Sequence, residues 1–173
     1  MLRNDLSADV IRAALDYDPI TGTLTWKLRT DRRKAWNTQW AGRPAGFVQK
    51  VDGGYVRAIS WGRRRKYLAH RIIWVWVTGL WPLNEIDHKD RNPLNNTWNN
   101  LRCATRPQNC GNTKPKTNLP KGVSCKKGRY YVARLKINYK EIYLGCYKTP
   151  SEAHEAYKEA AREAFGEFAR FTE

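Results

Sequence analysis

The chain has 173 residues, with 32 Lys or Arg against 16 Asp or Glu, a net charge of +16 and a pI near 10.0. That length allows one to two ordinary domains with at least one modest core, and the basic excess attracts polyanions, either nucleic acid or an anionic membrane. The membrane reading is set aside, because IIWVWVTGLW is too short to span a bilayer and its neighbours show no wide apolar face.

In chain order, LSADVIRAALDYD reads as a helix with Ser7 as N-cap and Val10, Ile11, Ala14 and Leu15 on one face. DPITGTLTWKL follows as a Pro/Gly turn and a strand, and GGYVRAISWGRRRKYLA as a hairpin around Gly62. AHRIIWVWVTG is continuously apolar from Ile72 to Val77, so periodicity leaves it open between helix and strand. Gly79 is a favoured residue just past a helix end and Pro82 follows shortly, so helix is preferred.

The next stretch, IDHKDRNPLNNTWNNLRCATRPQN, holds one of three histidines in a crowd of amides. EIDH reads as a short strand ending in His88, DRNPLNN as a turn cluster and NNLRCAT as a second strand. TRPQNCGN then begins a helix with Thr105 as N-cap and Gln108 at capping-box spacing, and Asn109 in its first turn facing back toward His88.

GNTKPKTNLP is a polar, Pro-interrupted linker. Beyond it YYVARLKIN and KEIYLGCY alternate as strands, the second with Ile142 and Leu144 set against Glu141 and Tyr143. TPSEAHEAYKEAAREAF is an amphipathic helix, capped by Thr149, with Ala153, Ala156, Tyr157, Ala160, Ala164 and Phe165 as its stripe. Three strands packed on one helix leave a second sheet face carrying Arg134 and Lys136. The fold class expected is α+β, divided into an N-terminal region 1–66, a core 67–113, a linker 114–119 and a C-terminal domain 120–173.

Between Arg91 and Lys140 there is no Asp or Glu, while twelve Lys or Arg are present. A merely solvated surface intersperses the two signs, so the run points to a phosphate-tracking surface. Cys103, Cys110, Cys125 and Cys146 form no C-x-x-C pair. With no signal-peptide h-region at the start, they are expected to be reduced thiols and the protein cytoplasmic.

Phosphodiester hydrolysis needs a base to deprotonate water and a cation to neutralise phosphoryl charge. His88 is the natural base. Asp87 and Asn109 offer hard oxygen ligands suited to Mg²⁺. The bland readings stand beside these: His70 as a cap or packed residue, and His154 without a role. Asn92, Asn95, Asn96 and Asn99 read as turn residues, and Trp61, Trp74, Trp76 and Trp81 as core.

The stretch from AHRIIWVWVTGLWP through IDHKDRNPLNNTWNNLRCATRPQNCGN resembles the HNH nuclease motif, the ββα-metal fold, in the H-N-N form typical of phage and intron-encoded homing endonucleases. YDPITGTLTWK and GGYVRAISW look like the N-terminal region of such enzymes, which implies that region 1–66 contacts DNA. The resemblance implies His88 as general base, Asn100 as the residue bracing its loop, and Asp87 and Asn109 as metal ligands. Asn109 stands where relatives often carry a histidine, which removes a soft ligand. One divalent ion, Mg²⁺ with Mn²⁺ as substitute, is implied, and no structural zinc is expected.

KGVSCKKGRYYVARLKINYKEIYLGCYKTPSEAHEAYKEAAREAFGEFARF resembles the Apetala-2/ethylene-response-factor DNA-binding domain. By position that implies Lys121, Lys126, Arg134, Lys136 and Tyr143 as DNA contacts. Ser124 and Glu141 stand where the plant-type domain usually has basic residues. The combined expectation is a metal-dependent, sequence-specific endonuclease acting on double-stranded DNA, with no protein partner implied and, if phage-encoded, acting in a host cytoplasm. Two alternatives are a non-catalytic DNA-binding regulator on the same scaffold and an RNA-binding protein.

Overall fold

The structure is a computed structural model that describes residues 4–51, 54–62, 65–113, 115 and 117–171. It divides into two compact units, Met1–Cys103 and Ala104–Glu173. Lys114 and Lys116 of the expected linker lie outside the described residues.

In the first unit Ser7 caps α1 (Ala8–Ala14), its hydroxyl accepting from Val10 N at 3.3 Å. Leu15 leaves the helix with φ −134 and opens β1 (Leu15–Asp18), which pairs antiparallel with β2 (Thr23–Trp26). The helix therefore ends before the apolar face expected for it is complete. Ile11 and Ala14 are buried, whereas Val10 is exposed.

A short helix not anticipated from sequence, α2 (Lys34–Trp40), follows, and none of its residues is buried. Next comes a three-stranded antiparallel sheet of β3 (Phe47–Val51), β4 (Gly54–Trp61) and β5 (Arg65–Leu68). The expected hairpin is β4–β5, with Gly62 at φ +72 in its turn; Arg63 and Arg64 lie outside the described residues.

α3 (Ala69–Thr78) ends at Gly79, whose φ of +81 is the left-handed geometry that glycine adopts without a Cβ penalty. It packs on α1, β4 and β5. Ile72, Ile73 and Val75 are buried in a cluster with Ile11, Leu15, Ile59, Ile86 and Leu101. Each such side chain contributes roughly 1.5–3 kcal/mol on burial. The N-terminal elements and the pair β6 (Glu85–His88) and β7 (Leu101–Ala104) thus share one core. Asn99 and Asn100, expected to open that second strand, form a 3-10 turn before it (Trp98–Asn100).

In the second unit α4 (Arg106–Gly111) carries the expected capping box between Thr105 and Gln108. β8 (Val123–Lys126), β9 (Tyr130–Ile137) and β10 (Lys140–Tyr147) form an antiparallel sheet in the order β10-β9-β8. α5 (Pro150–Phe165) packs on all three strands. Its buried residues Ala153, Tyr157, Ala161 and Phe165 follow a strict i, i+4 line. Ala161 therefore faces inward and Ala164, expected in the stripe, is exposed. A register shift between Tyr143 and Gly145 interrupts the expected alternation of β10. Leu144 still packs against the core, while Ile142 is exposed.

Candidate functional site

β6 ends in Asp87 and His88, both buried. Strand alternation sends these neighbours to opposite faces, so they meet different partners. His88 Nε2 lies 3.2 Å from Asn96 Oδ1, and Asp87 Oδ2 accepts from Arg102 Nε at 2.8 Å. The Asn96 amide is oriented by its own Nδ2–H, which donates to Leu94 O at 3.3 Å. Its oxygen is thus the atom facing the imidazole. An amide oxygen only accepts, so a hydrogen bond here is made by the tautomer that carries its proton on Nε2.

Burial drives the His88 pKa below its ordinary 6.5, opposed by the hydrogen bond to Asn96 and then by the carboxylates of Asp90 and Asp87. His70 stands edge-on to His88, with ring centroids 5.1 Å apart. Burial first, then His88 and Arg71, push its pKa down to about 3. Near neutral pH both rings are therefore uncharged. A neutral imidazole is the form that accepts a proton.

The loop between β6 and β7 is built on Asp90 and Asn100. Asn100 Oδ1 accepts from Asp90 N at 3.0 Å, and its Nδ2 donates to Asp90 Oδ1 at 2.9 Å and Asn95 O at 2.8 Å. Lys89 N donates to Asn100 O at 2.9 Å, continuing the strand pairing. Burial raises the Asp90 carboxyl, but hydrogen bonds from Asn92 N, Asn95 and Asn100, with His88 nearby, hold it below the usual carboxylate range. Asp90 is therefore an ionised anchor at neutral pH.

A second brace comes from the β1–β2 hairpin. Tyr17 OH donates to Asn96 O at 2.8 Å, and Trp98 N donates to Pro19 O at 3.1 Å. Burial, then Asp18, pushes Tyr17 up to about 12, so it stays a donor. Gly22 sits so close that a Cβ would come within 2.5 Å of Asn96 C and Thr97 N. The N-terminal hairpin thus presses the loop that carries the partner of His88.

Of the residues expected from sequence, His88, Asp87 and Asn100 are brought together on β6, its loop and the turn before β7. Asn109 lies in the second unit, at the fourth position of α4. Lys126, Arg134, Lys136 and Tyr143 are exposed on the sheet face opposite Leu135, with Tyr143 directly across from Arg134. Arg134 makes an ion pair with Glu141 at 3.4 Å. Lys121 is placed differently: its Nζ donates to Gly111 O at 2.5 Å, at the C-terminal end of α4. His154, given no role from sequence, has Nδ1 3.0 Å from Lys121 O.

Sequence reasoning missed Asn96, Asp90, Arg102 and His70 as site residues. Asn96 read as a turn residue, yet it is 1% exposed, and burial is the signal that separates it from its neighbours. Among the described residues no group of three or more His, Cys, Asp or Glu is placed to hold a metal. The donor set is hard oxygen, a carboxylate and amides, which suits Mg²⁺ completed by water and phosphate. Asp87 is already charge-compensated by Arg102, so a cation at that carboxylate has to share it with the guanidinium.

The HNH endonuclease family matches residues 67–110. That stretch contains α3, β6, the Asn-rich loop, β7 and most of α4. An Acanthamoeba polyphaga mimivirus protein, named as an uncharacterised HNH endonuclease, is 37% identical over 106 residues, covering 60% of this chain and 56% of that relative. The chain therefore spans just over half the length of this relative. No solved structure gives a significant match. Both similarities support the HNH nuclease part of the sequence reading. Among the described residues no helix is long and apolar enough to cross a membrane.

Proposed function

We propose that the protein is a metal-dependent HNH DNA endonuclease of homing type. The observation that carries the reading is the His88–Asn96 pair, 3.2 Å apart and buried within the HNH-like stretch. In this reading His88 Nδ1 takes the proton from the attacking water while Asn96 holds the ring and its tautomer. Asn100 and Asp90 keep the loop in place, and Tyr17 supports it from the N-terminal hairpin. Asp87 and Asn109 would hold the divalent ion, which neutralises phosphoryl charge and stabilises the leaving oxygen. Double-stranded DNA is bound by the C-terminal unit, an Apetala-2-like sheet reader presenting Lys126, Arg134, Lys136 and Tyr143. The net charge of +16 supports a polyanionic substrate.

The test is Mg²⁺-dependent cleavage of supercoiled plasmid by the wild type and by His88→Ala. A general base contributes roughly 10²–10⁴ to rate without touching ground-state DNA. The variant should therefore lose cleavage by that factor and keep DNA affinity within a few-fold. Wild-type protein that binds DNA but never cuts it with Mg²⁺ or Mn²⁺ would favour a non-catalytic regulator.

A further inference from the structure

Away from His88, the first unit holds an aromatic cavity of about 460 Å³, lined by Trp26, Trp36, Trp40, Phe47, Trp61 and the two arginines Arg29 and Arg32. Its size falls in the roughly 300–1,000 Å³ range of small-molecule sites. None of Asp87, His88, Asn96 or Asn100 lines it. A second, shallower groove of about 480 Å³, with Leu28, Lys34, Asn37 and Thr38 in its wall, shares Arg29 and Arg32 with the first. The first is walled by π faces, the second carries Lys34 beside the same two arginines, and Arg29 and Arg32 belong to both walls.

Those guanidiniums are arranged in different ways. Arg29 is locked: it donates to both oxygens of Asp31, at 2.8 and 2.6 Å, and sits 5.8 and 5.6 Å from the Trp36 and Trp61 rings. Arg32 lies 5.7 Å from the Trp36 ring and reaches Asp31 only at 3.7 Å. That 3.7 Å contact is made by its Nε, which is shielded from solvent and too far from the carboxylate for a hydrogen bond. Two arginines share one carboxylate, so the shared wall is cationic and the Arg32 Nε has only a long ion pair to Asp31. A ligand oxygen nearer to this Nε than the Asp31 carboxylate would give it the hydrogen bond that the long ion pair does not.

We propose that this pair of pockets takes one unpaired nucleotide of the DNA, its base against the tryptophans and its phosphate against Arg32 and Lys34. The inference rests on the reading of the protein as one that acts on DNA. A base has the planar face that aromatic walls and stacked guanidiniums recognise regardless of sequence, and only an unpaired base exposes that face. The adjoining anionic phosphate matches the cationic wall. The site would register locally opened or distorted duplex rather than base identity.

The test uses the full chain in EDTA, so that binding is read without cleavage, and a short duplex with or without one bulged 2-aminopurine. Fluorescence anisotropy should give a roughly five-fold or larger preference for the bulged duplex, as expected for stacking one base. Trp40→Ala and Arg32→Lys, the second keeping the charge, should abolish that preference and leave paired-duplex affinity within about two-fold. Trp40 is 40% exposed, so its loss leaves the core intact, and an unchanged near-ultraviolet circular dichroism spectrum checks this. Equal affinity of the wild type for both duplexes, or a preference that survives in both variants, overturns the proposal. Tighter binding of deoxyadenosine monophosphate than of the bulged duplex overturns it in favour of a free nucleotide. Plasmid cleavage without the preference removes this inference alone. The preference without cleavage leaves it standing and removes the nuclease reading.

Discussion

His88 Nε2 and Asn96 Oδ1 are 3.2 Å apart and both residues are buried, so the ring presents a defined tautomer instead of a mixture. The pH dependence of cleavage follows from this contact. With His88 as the proposed general base, burial holds its pKa below 6.5, so the acidic limb of the rate should lie below that value. Asn96→Asp places a carboxylate against the ring and favours imidazolium. The limb should then move to higher pH, with a lower rate at neutral pH. Asn96→Ala removes the hydrogen bond that raises the His88 pKa, so the limb should move to lower pH while the plateau rate falls with the loss of the ring's support. Single-turnover rates between pH 5 and 9 read the limb, and one that does not move in Asn96→Asp would show that another group sets it.

The contact between the β1–β2 turn and the loop predicts a cost at Gly22. Its φ is +72, and a Cβ would meet backbone atoms of Asn96 and Thr97 at 2.5 Å. Neither neighbour is the end of a flexible side chain, so Gly22→Ala must push the hairpin and the loop apart. Overpacking of this kind costs roughly 1–3 kcal/mol, and left-handed geometry adds to it. Tyr17→Phe removes only the hydroxyl bond to Asn96 O and should cost about 1 kcal/mol. Both should slow cleavage while leaving DNA affinity unchanged. Denaturant midpoints and single-turnover rates measure the two effects, and a fully active, fully stable Gly22→Ala protein would refute the clamp.

The parts of this arrangement that are legible in sequence are those with a local chemical signature. Ser7, Thr105 with Gln108, and Thr149 mark helix starts, and Gly79 marks an end, each through bonds or dihedrals set within a few residues. α2 has no side-chain cap and no buried residue, so neither signal announces it. Asp87–Arg102 spans fifteen positions and depends on the register of β6 against β7, which the residue pattern leaves undetermined. Asn95 and Asn96 are adjacent and chemically identical. Asn95 is taken by Asp90 and Thr97, while Tyr17 and Gly22 pack on the loop at Asn96, the one whose amide lies against His88. Lys121 lies within a basic run that suggests a DNA face, but α4 ends close enough to take its ammonium.

His70 makes stability depend on acid. Its pKa in the folded protein is about 3, against about 6.5 when unfolded. The unfolded chain therefore binds a proton that the folded chain refuses between those values. His70 thus favours the folded state fully above about pH 6.5, and this contribution fades as pH falls toward 3. His88, shifted in the same direction, adds to the trend. His70→Gln should flatten the decline in urea midpoint between pH 7 and pH 4 relative to wild type. Parallel declines would mean that His70 does not contribute to acid unfolding.

The C-terminal unit separates two kinds of lysine and arginine that the sequence presents alike. Arg134 and Lys136 are exposed on the sheet face opposite the core, while Lys121 Nζ lies against the carbonyl of Gly111 at the end of α4. A cation in that position favours the helix end by about 0.3–1 kcal/mol. In the full chain, Arg134→Gln with Lys136→Gln should reduce the slope of log affinity against log salt by roughly 1.8, since each phosphate left without its cation removes about 0.9. Lys121→Ala should leave the slope nearly unchanged and lower the thermal midpoint. Glu141→Gln removes the carboxylate 3.4 Å from Arg134 and should tighten binding, most visibly at low salt. Anisotropy titrations across a salt series, paired with thermal melts, resolve the three cases. A slope that falls as much for Lys121→Ala as for one of the sheet substitutions would place phosphate at the α4 end and move the DNA path away from the sheet.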